Sequence, residues 1–180
     1  SVAHAIGCPA GIAPELTARI LADPEVAAAA RILVAGDRRV LDRGARIAGV
    51  TLDIDVIGPD DRIPAGDRAV LIDLGHLDPD SVPVGSLSKP SGDFAMANFR
   101  KALDLCTGGH ADAVTFSPYN KASMRLSHPS YEDEVVFMSE YLHFNGVASE
   151  FNILPGLWNA RVTSHVPISG VAALITRTNV

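Results

Sequence analysis

Short apolar runs alternate with helical patterns along the chain, and no other feature of the sequence constrains the fold as strongly. The first apolar run, Val2 to Gly7, leads through a glycine-containing loop into a helical pattern that begins near Pro14. Strand patterns follow at 31–35, 51–57, 69–74, 111–116, 149–154 and 160–164, and helical patterns at 37–48, 91–106, 122–126, 134–144 and 169–175. Strands that alternate with helices predict a largely parallel α/β sheet.

The stretch from 75 to 92 separates two groups of these elements. It contains Pro83, Gly85, Pro90 and Gly92 and predicts a long irregular connection, which is typical of a domain junction. We therefore expect residues 1–90 to form part of a first α/β domain and residues 91–180 part of a second. Within these halves, Asp37 is the predicted N-cap of the helix at 37–48, and Ser91 or Gly92 is expected near the start of the helix at 91–106.

Composition limits the classes of partner. Of 180 residues, 47% are hydrophobic and 20% are charged, as in an ordinary globular protein. The net charge of -6 gives no basic surface for nucleic acid or an anionic membrane. Cys8 and Cys106 have no metal-binding spacing and are interpreted as free thiols. The sequence has neither an apolar run of membrane-spanning length nor a signal-peptide pattern, so we expect a cytoplasmic protein.

Two segments could bind an anion, and each has a purely structural interpretation. The loop from Gly7 to Gly11 could point backbone N–H groups at an anion, but it lacks the GxGxxG spacing, and a tight strand-to-helix turn explains it equally well. Four arginines lie between residues 38 and 46. They indicate the solvated face of a helix, with an anion site as the alternative.

Asn120 and Lys121 follow the apolar run at 111–116 directly. At the carboxyl end of a strand, a lysine can hold a substrate carboxylate or phosphate by charge, and an asparagine can orient a hydroxyl. The alternative is that Asn120 caps the next helix and Lys121 is solvated.

His165 lies near the end of the last predicted strand, just before Pro167. Ligands gather outside the carboxyl ends of strands in open α/β sheets, so this histidine is a candidate site residue. The other interpretation is that it bonds a loop carbonyl and fills space. The acidic segment Glu132-Asp133-Glu134 opens a helix, where the dipole favours carboxylates, and metal binding is the alternative.

Three segments together resemble the successive signatures of the 4-hydroxythreonine-4-phosphate dehydrogenases of vitamin B6 synthesis. They are Gly7-Cys8-Pro9-Ala10-Gly11-Ile12-Ala13-Pro14-Glu15, 111–121 with Ser117-Pro118-Tyr119-Asn120-Lys121 at its end, and Ala160-Arg161-Val162-Thr163-Ser164-His165-Val166-Pro167. Their order and spacing match over essentially the whole chain. The resemblance implies α/β/α layers of the isocitrate/isopropylmalate dehydrogenase type, present here as an incomplete two-domain chain.

The resemblance also implies an activity. It would be NAD-dependent oxidation of a hydroxy acid followed by decarboxylation, in a homodimer with a shared active site. A divalent metal (Zn, Mg or Co) would be held by three histidines, of which His165 matches the first. The implied catalytic residues are Lys121 and His165, and the implied substrate-binding residues are Asn120, Glu132 and Asp133.

The chain departs from the family pattern in two places and in length. An acidic residue is usual at Cys8, and His-Thr-Glu at Glu132-Asp133-Glu134. Because a carboxylate repels phosphate, carboxylated cyclic cis-dihydrodiols, as in terephthalate breakdown, are the alternative substrates. The family continues for roughly as much again, through the other two metal-ligand histidines and the NAD-binding segment. We therefore expect an N-terminal part with incomplete metal and nicotinamide sites, or a non-catalytic remnant of the fold.

Overall fold

The computed structural model describes residues 1–163 and 166–180, which form two compact units, Ser1–Glu132 and Asp133–Val180. No helix in these described ranges is long and apolar enough to cross a membrane.

The first unit contains β1 (Val2–Ala5), α1 (Ala13–Ala22), α2 (Pro24–Ala29), β2 (Ile32–Gly36), α3 (Arg38–Ala48), β3 (Asp55–Ile57), β4 (Val70–Asp73), a short 3-10 helix (Pro79–Ser81), α4 (Lys89–Thr107), β5 (Ala113–Phe116) and α5 (Lys121–Ser127). Its strands form one sheet in the order β3-β4-β2-β1-β5, and each neighbouring pair is parallel. The predicted parallel α/β sheet is confirmed.

Helices cover both faces of this sheet, because its strands are apolar on both sides. Ile6, Val34 and Leu71 pack in one buried cluster with residues of α1 and α3. Ala3 and Ala5, which alternate with these positions on β1, pack in a second cluster with Ala102 and Leu105 of α4. Alternate strand residues face opposite sides, so the two clusters define three α/β/α layers.

The first helices begin and end largely as their sequences predict. Asp37 caps α3 by accepting from the Arg39 backbone N–H at 2.9 Å, and its other oxygen accepts from the Leu77 N–H at 2.9 Å. The arginines of α3 bind protein groups: Arg38 pairs with Asp42 at 2.6 Å, and Arg43 donates to two backbone carbonyl oxygens. These contacts favour the helix-face interpretation of the arginine cluster.

Helix α4 begins earlier than the sequence suggested. Its N-cap is Ser88, whose Oγ accepts from the Ser91 N–H at 3.3 Å, so the prediction of Ser91 or Gly92 near the cap was wrong. The misleading residue is Pro90, which suits a first helical turn because that turn needs no N–H from it. Strand β3 is also shorter than the predicted 51–57.

The two compact units differ from the predicted division at residue 90. Strand β5 pairs with β1, and α4 packs on β1, β2 and β5, so residues 91–132 belong with residues 1–90 in one unit. The expectation that the chain contains parts of two larger domains stays a prediction.

The second unit contains α6 (Glu134–Tyr141), β6 (Phe151–Leu154), β7 (Leu157–Ala160) and α7 (Ile168–Leu174). Strands β6 and β7 form an antiparallel hairpin in which Leu154 is opposite Leu157. A Pro-Gly turn joins them, with Gly156 at φ +80°, and proline then glycine supply the φ angles that such a turn requires. The prediction of a strand core at 160–164 was therefore wrong, because the turn starts the strand at Leu157 and 161–163 lie beyond its end.

Candidate functional site

The candidate site lies at the carboxyl ends of β1 and β5, where the turn 7–11 meets the loop 117–121. Cys8 donates its backbone N–H to the Pro118 carbonyl oxygen at 2.9 Å, and Ser117 donates to the Ala5 oxygen at 3.1 Å. A Cβ atom at Gly7 would lie 2.3 Å from the carbonyl oxygens of Ser117 and Pro118. The turn therefore needs glycine for this close backbone approach, which favours its interpretation as a tight strand-to-helix turn.

Asn120 is the N-cap of α5. Its Oδ1 accepts from the Ser123 backbone N–H at 3.1 Å, so the capping interpretation is confirmed. A role of Asn120 in orienting a substrate hydroxyl stays a prediction.

Lys121 is the first residue of α5, and its side chain is partly buried. The helix that carries it is fixed on α4 at both ends. Ser88 donates its N–H to Ser123 Oγ at 3.2 Å, and Ser127 Oγ donates to Asp93 at 2.6 Å. Lys121 therefore has a defined position at the edge of the sheet where a substrate of an α/β protein binds.

An aromatic cluster supports the same loop. The Tyr119 ring is stacked on Phe116 with centroids 4.9 Å apart, and it lies 5.3 Å from the ring of Phe99 on α4. Phe99 is fully buried, so the cluster joins the loop to the core of the first unit.

A buried polar network around His4 was missed in the sequence. His4 Nδ1 lies 3.0 Å from Thr115 Oγ1, and His4 Nε2 lies 3.1 Å from both Thr17 Oγ1 and Ser117 Oγ. The two hydroxyls are 2.9 Å apart, and Thr17 also donates to the Ala13 carbonyl oxygen at 2.9 Å. Burial lowers the pKa of His4 from 6.5 to about 4. The only signal in the sequence is that hydroxyl residues alternate at positions 115 and 117.

The acidic segment divides between the two compact units. Glu132 ends the first unit and is exposed, and its backbone carbonyl oxygen accepts from Arg125 at 3.4 Å. Asp133 begins the second unit as the N-cap of α6, with Oδ1 accepting from the Val136 N–H at 2.9 Å. The helix-start interpretation of this segment is confirmed for Asp133. Substrate contacts of Glu132 and Asp133 stay predictions.

The second unit has a small cavity of about 280 Å³ beside this cap, lined in part by Asp133, Glu150, Arg161 and Val162. Arg161 and Glu150 form an ion pair on its wall. The predicted metal ligand His165 lies outside the described residues. Within 1–163 and 166–180, no group of three or more His, Cys, Asp or Glu side chains converges to hold a metal ion.

The three layers define an α/β protein whose parallel sheet has helices on both faces. The crystal structure of a 4-hydroxythreonine-4-phosphate dehydrogenase from Burkholderia phymatum superposes with a TM-score of 0.84 at 27% identity. The superposition covers 99% of this chain and 54% of the Burkholderia phymatum chain, which confirms the predicted fold class.

The family described as "Pyridoxal phosphate biosynthetic protein PdxA" matches residues 28–180, and the chain belongs to this family. Two relatives share the name "Putative 4-hydroxythreonine-4-phosphate dehydrogenase 2". The one from Rhizobium meliloti is 51% identical over 96% of this chain and 50% of its own length. The one from Pseudomonas aeruginosa is 36% identical over 99% and 53%. This chain thus spans about half the length of these relatives.

Proposed function

We propose that the protein containing this chain is an NAD-dependent and divalent-metal-dependent dehydrogenase that oxidises a hydroxy acid and then releases CO2. The observation that supports this function best is membership of the PdxA family over residues 28–180. The relatives and the superposed structure are named as 4-hydroxythreonine-4-phosphate dehydrogenases, in the case of the two relatives as putative ones. We further propose a homodimer with a shared active site in the cytoplasm.

The proposed role of Lys121 follows from its position. A substrate of this kind has an anionic group, a carboxylate or a phosphate, and the Lys121 ammonium group would bind that group by charge at the carboxyl end of β5. Asn120, whose Oδ1 is committed to the helix cap, would contribute its amide N–H groups. Together they would orient the hydroxyl-bearing carbon without taking part in bond breaking.

NAD would accept the hydride from the carbinol carbon, and a metal would act as a Lewis acid. The described residues do not by themselves provide a metal site, and they define no nucleotide-binding geometry. Both cofactors are therefore proposed from the family resemblance, with His165 as the one proposed metal ligand on this chain.

A second candidate substrate class is an unphosphorylated, carboxylated cis-dihydrodiol. The observation that favours it is that a carboxylate, Asp133, already occupies the N-cap of α6, with Glu132 next to it in sequence. Two like unit charges about 4 Å apart repel by about 1 kcal/mol in water and by about 4 kcal/mol near a protein surface. A phosphate placed beside this segment would meet such a repulsion, whereas the uncharged ring of a dihydrodiol whose carboxylate binds at Lys121 would not.

The test is a steady-state assay of the full-length protein that follows the absorbance of reduced nicotinamide. Two substrate panels, phosphorylated hydroxy acids and carboxylated cis-dihydrodiols, are compared with divalent metal present and after chelation. We expect metal-dependent turnover on one panel. Turnover that survives chelation would contradict the metal proposal, and no turnover on either panel together with no binding of NAD would favour a non-catalytic remnant.

Replacing Glu132 by Gln separates the two substrate classes further, because it removes a charge and keeps the shape. If the carboxylate excludes phosphate, kcat/KM for phosphorylated substrates should rise about tenfold, while kcat/KM for dihydrodiols should stay unchanged. The matched control is Glu25→Gln, at the exposed start of α2, which should change neither value.

A further inference from the structure

His4 is the one side chain of β1 that contacts hydroxyl groups from both β5 and α1. Its ring is 3% exposed, and its two nitrogens lie within 3.1 Å of Thr115, Thr17 and Ser117. In this way a single imidazole joins β1, its neighbour β5 and the covering helix α1. Ser117, one of the three partners, is the first residue of the loop that ends in Lys121.

We propose, on the basis of the function proposed above for Lys121, that His4 is a positioning residue. It holds Ser117 against α1 and so fixes the loop Ser117–Lys121 that presents Asn120 and Lys121 to the substrate.

The hydrogen-bond capacities of these groups give His4 a defined place in the network. A hydroxyl has one proton, and that of Thr17 is donated to the Ala13 carbonyl oxygen, so Thr17 can only accept from Ser117 or His4. Ser117 likewise has one proton to share between Thr17 and His4. The neutral ring has one N–H and one lone pair, so one of its nitrogens donates to a hydroxyl group and the other accepts from one. An apolar residue at position 4 would remove the ring that joins Thr115 to Ser117 and Thr17, and it would leave the Ser117 hydroxyl held to α1 by Thr17 alone.

The loop is short and anchored enough to transmit a change at Ser117. Pro118 follows directly, and its carbonyl oxygen accepts from Cys8, so the loop backbone is tied to the turn after β1. Asn120 then caps α5 through the Ser123 N–H. A displacement of Ser117 would strain both of these hydrogen bonds, and through them it would shift Lys121.

His4 itself cannot act on a substrate. It is buried and contacts hydroxyl groups, and its lowered pKa keeps the ring neutral at neutral pH, so it adds no charge beside Lys121. Its effect would be transmitted through Ser117 alone.

The experiment compares His4→Leu, which removes the hydrogen bonds, with His4→Asn, which can restore some of them. The control is His110→Leu, the same substitution at an exposed site between α4 and β5. Hydrogen exchange is followed at the Cys8 and Ser123 amides, which report the two loop anchors. In His4→Leu we expect both to exchange at least about tenfold faster than in the wild-type protein, with partial recovery in His4→Asn.

Leu41, whose N–H bonds to the Asp37 carbonyl oxygen in α3, serves as the internal reference. Its exchange should not change. Unchanged exchange at Cys8 and Ser123 would overturn the proposal, and so would acceleration at Leu41 by the same factor, because His4 would then contribute only to general stability. If His4→Leu fails to fold, Thr17→Val, which removes one partner hydroxyl at similar volume, decides by the same criteria.

Kinetics of the full-length protein distinguish the proposal from the function on which it rests. His4→Leu should raise KM about tenfold and change kcat less than threefold, since the loop positions the substrate and does not take part in chemistry. A fall in kcat at constant KM would overturn the positioning role. If the wild-type protein proves inactive on every substrate, the proposed function fails, while the exchange experiment still decides whether His4 positions the loop.

Discussion

At the scale of single residues, the candidate site combines a partly buried lysine at the edge of the sheet with one buried imidazole. Lys121 is the first residue of α5, and His4 is buried beneath the loop that leads to it. The two side chains differ in kind. One would contact the substrate, and the other would act only through Ser117.

Removing the charge of Lys121 should weaken substrate binding. In Lys121→Met the aliphatic stem is kept and the ammonium group is lost, and we expect KM to rise at least about tenfold because a charge-assisted hydrogen bond disappears. Lys121→Arg, which keeps the charge, should raise KM much less. Steady-state kinetics of the full-length protein measure both. Equal kinetics for Lys121→Met and the wild-type protein would show that Lys121 does not contribute to substrate binding.

The burial of His4 should make stability depend on pH. The unfolded chain binds a proton on this residue with a pKa of 6.5, and the folded chain only near 4, so acid favours unfolding. The stabilisation is complete above about pH 6.5 and is lost as the pH falls toward 4. Between about pH 7 and pH 4.5 the loss should be roughly 2 to 3 kcal/mol.

Urea unfolding at the two pH values measures this loss. In His4→Asn, which has no titrating ring, the dependence should be smaller by about the same roughly 2 to 3 kcal/mol. If the wild-type protein and His4→Asn lose the same free energy of unfolding between the two pH values, His4 does not cause the pH dependence.

At the scale of elements, the fold depends on helix caps that also join neighbouring loops. Asp37 caps α3 and at the same time accepts from Leu77 in the loop after β4. Burial by itself would raise the pKa of Asp37, but hydrogen bonds from the Arg39 guanidinium and from the Leu77 and Arg39 backbone N–H groups lower it below its ordinary value. One carboxylate thus fixes both the start of α3 and the path of the loop after β4.

Removing this cap should cost about 2 to 4 kcal/mol of the free energy of unfolding, because two backbone N–H groups and a guanidinium lose their acceptor. Asp37→Ala tests the loss by urea unfolding near neutral pH. Asp37→Asn is the matched comparison, and its free energy of unfolding should fall less, since asparagine is also a good N-cap. A loss below about 0.5 kcal/mol in Asp37→Ala would show that solvent replaces these contacts.

The elements that local sequence determines were predicted well. The apolar runs at β1, β2, β4 and β5 and the caps at Asp37 and Asn120 are local signals, and the structure confirms them. The start of α4 was misplaced, because Pro90 indicates a loop unless the cap at Ser88 is recognised. The strand near 160 was misplaced, because the pattern was judged by alternation and not by the Pro-Gly turn before it.

The His4 network could not be predicted in the same way. It depends on the register that places His4 opposite Thr115 in neighbouring parallel strands, and on the packing of α1 that brings Thr17 over both. The sequence separation of His4 and Ser117 is 113 residues, and no local pattern specifies such a pairing. By contrast, the position of Lys121 directly after β5 could be predicted from the sequence, because it depends only on the end of one strand.

At the scale of the whole molecule, the chain consists of two units of unequal content. The first, Ser1–Glu132, contains all five parallel strands of the described sheet and the helices on both of its faces. The second contains a hairpin and two helices. The first unit therefore has a complete buried core of its own.

A protein made of residues 1–132 should fold by itself. We expect it to unfold cooperatively in urea and to keep helical circular dichroism at neutral pH, because both apolar clusters lie within it. A gradual, non-cooperative transition would show that the second unit is needed for its stability. The variant Ile6→Ala should lower the transition midpoint of this fragment, as expected for a residue of the core.

The backbone contact at Gly7 has a consequence for the evolution of the family. An exposed side chain such as that of Glu132 can be replaced with little effect on the fold. Any side chain at position 7 would instead push apart the turn after β1 and the loop before α5, whatever substrate that loop holds. We expect glycine to persist at this position in distant relatives whose chemistry has diverged, so it can serve to align them where the residues that contact the substrate no longer agree.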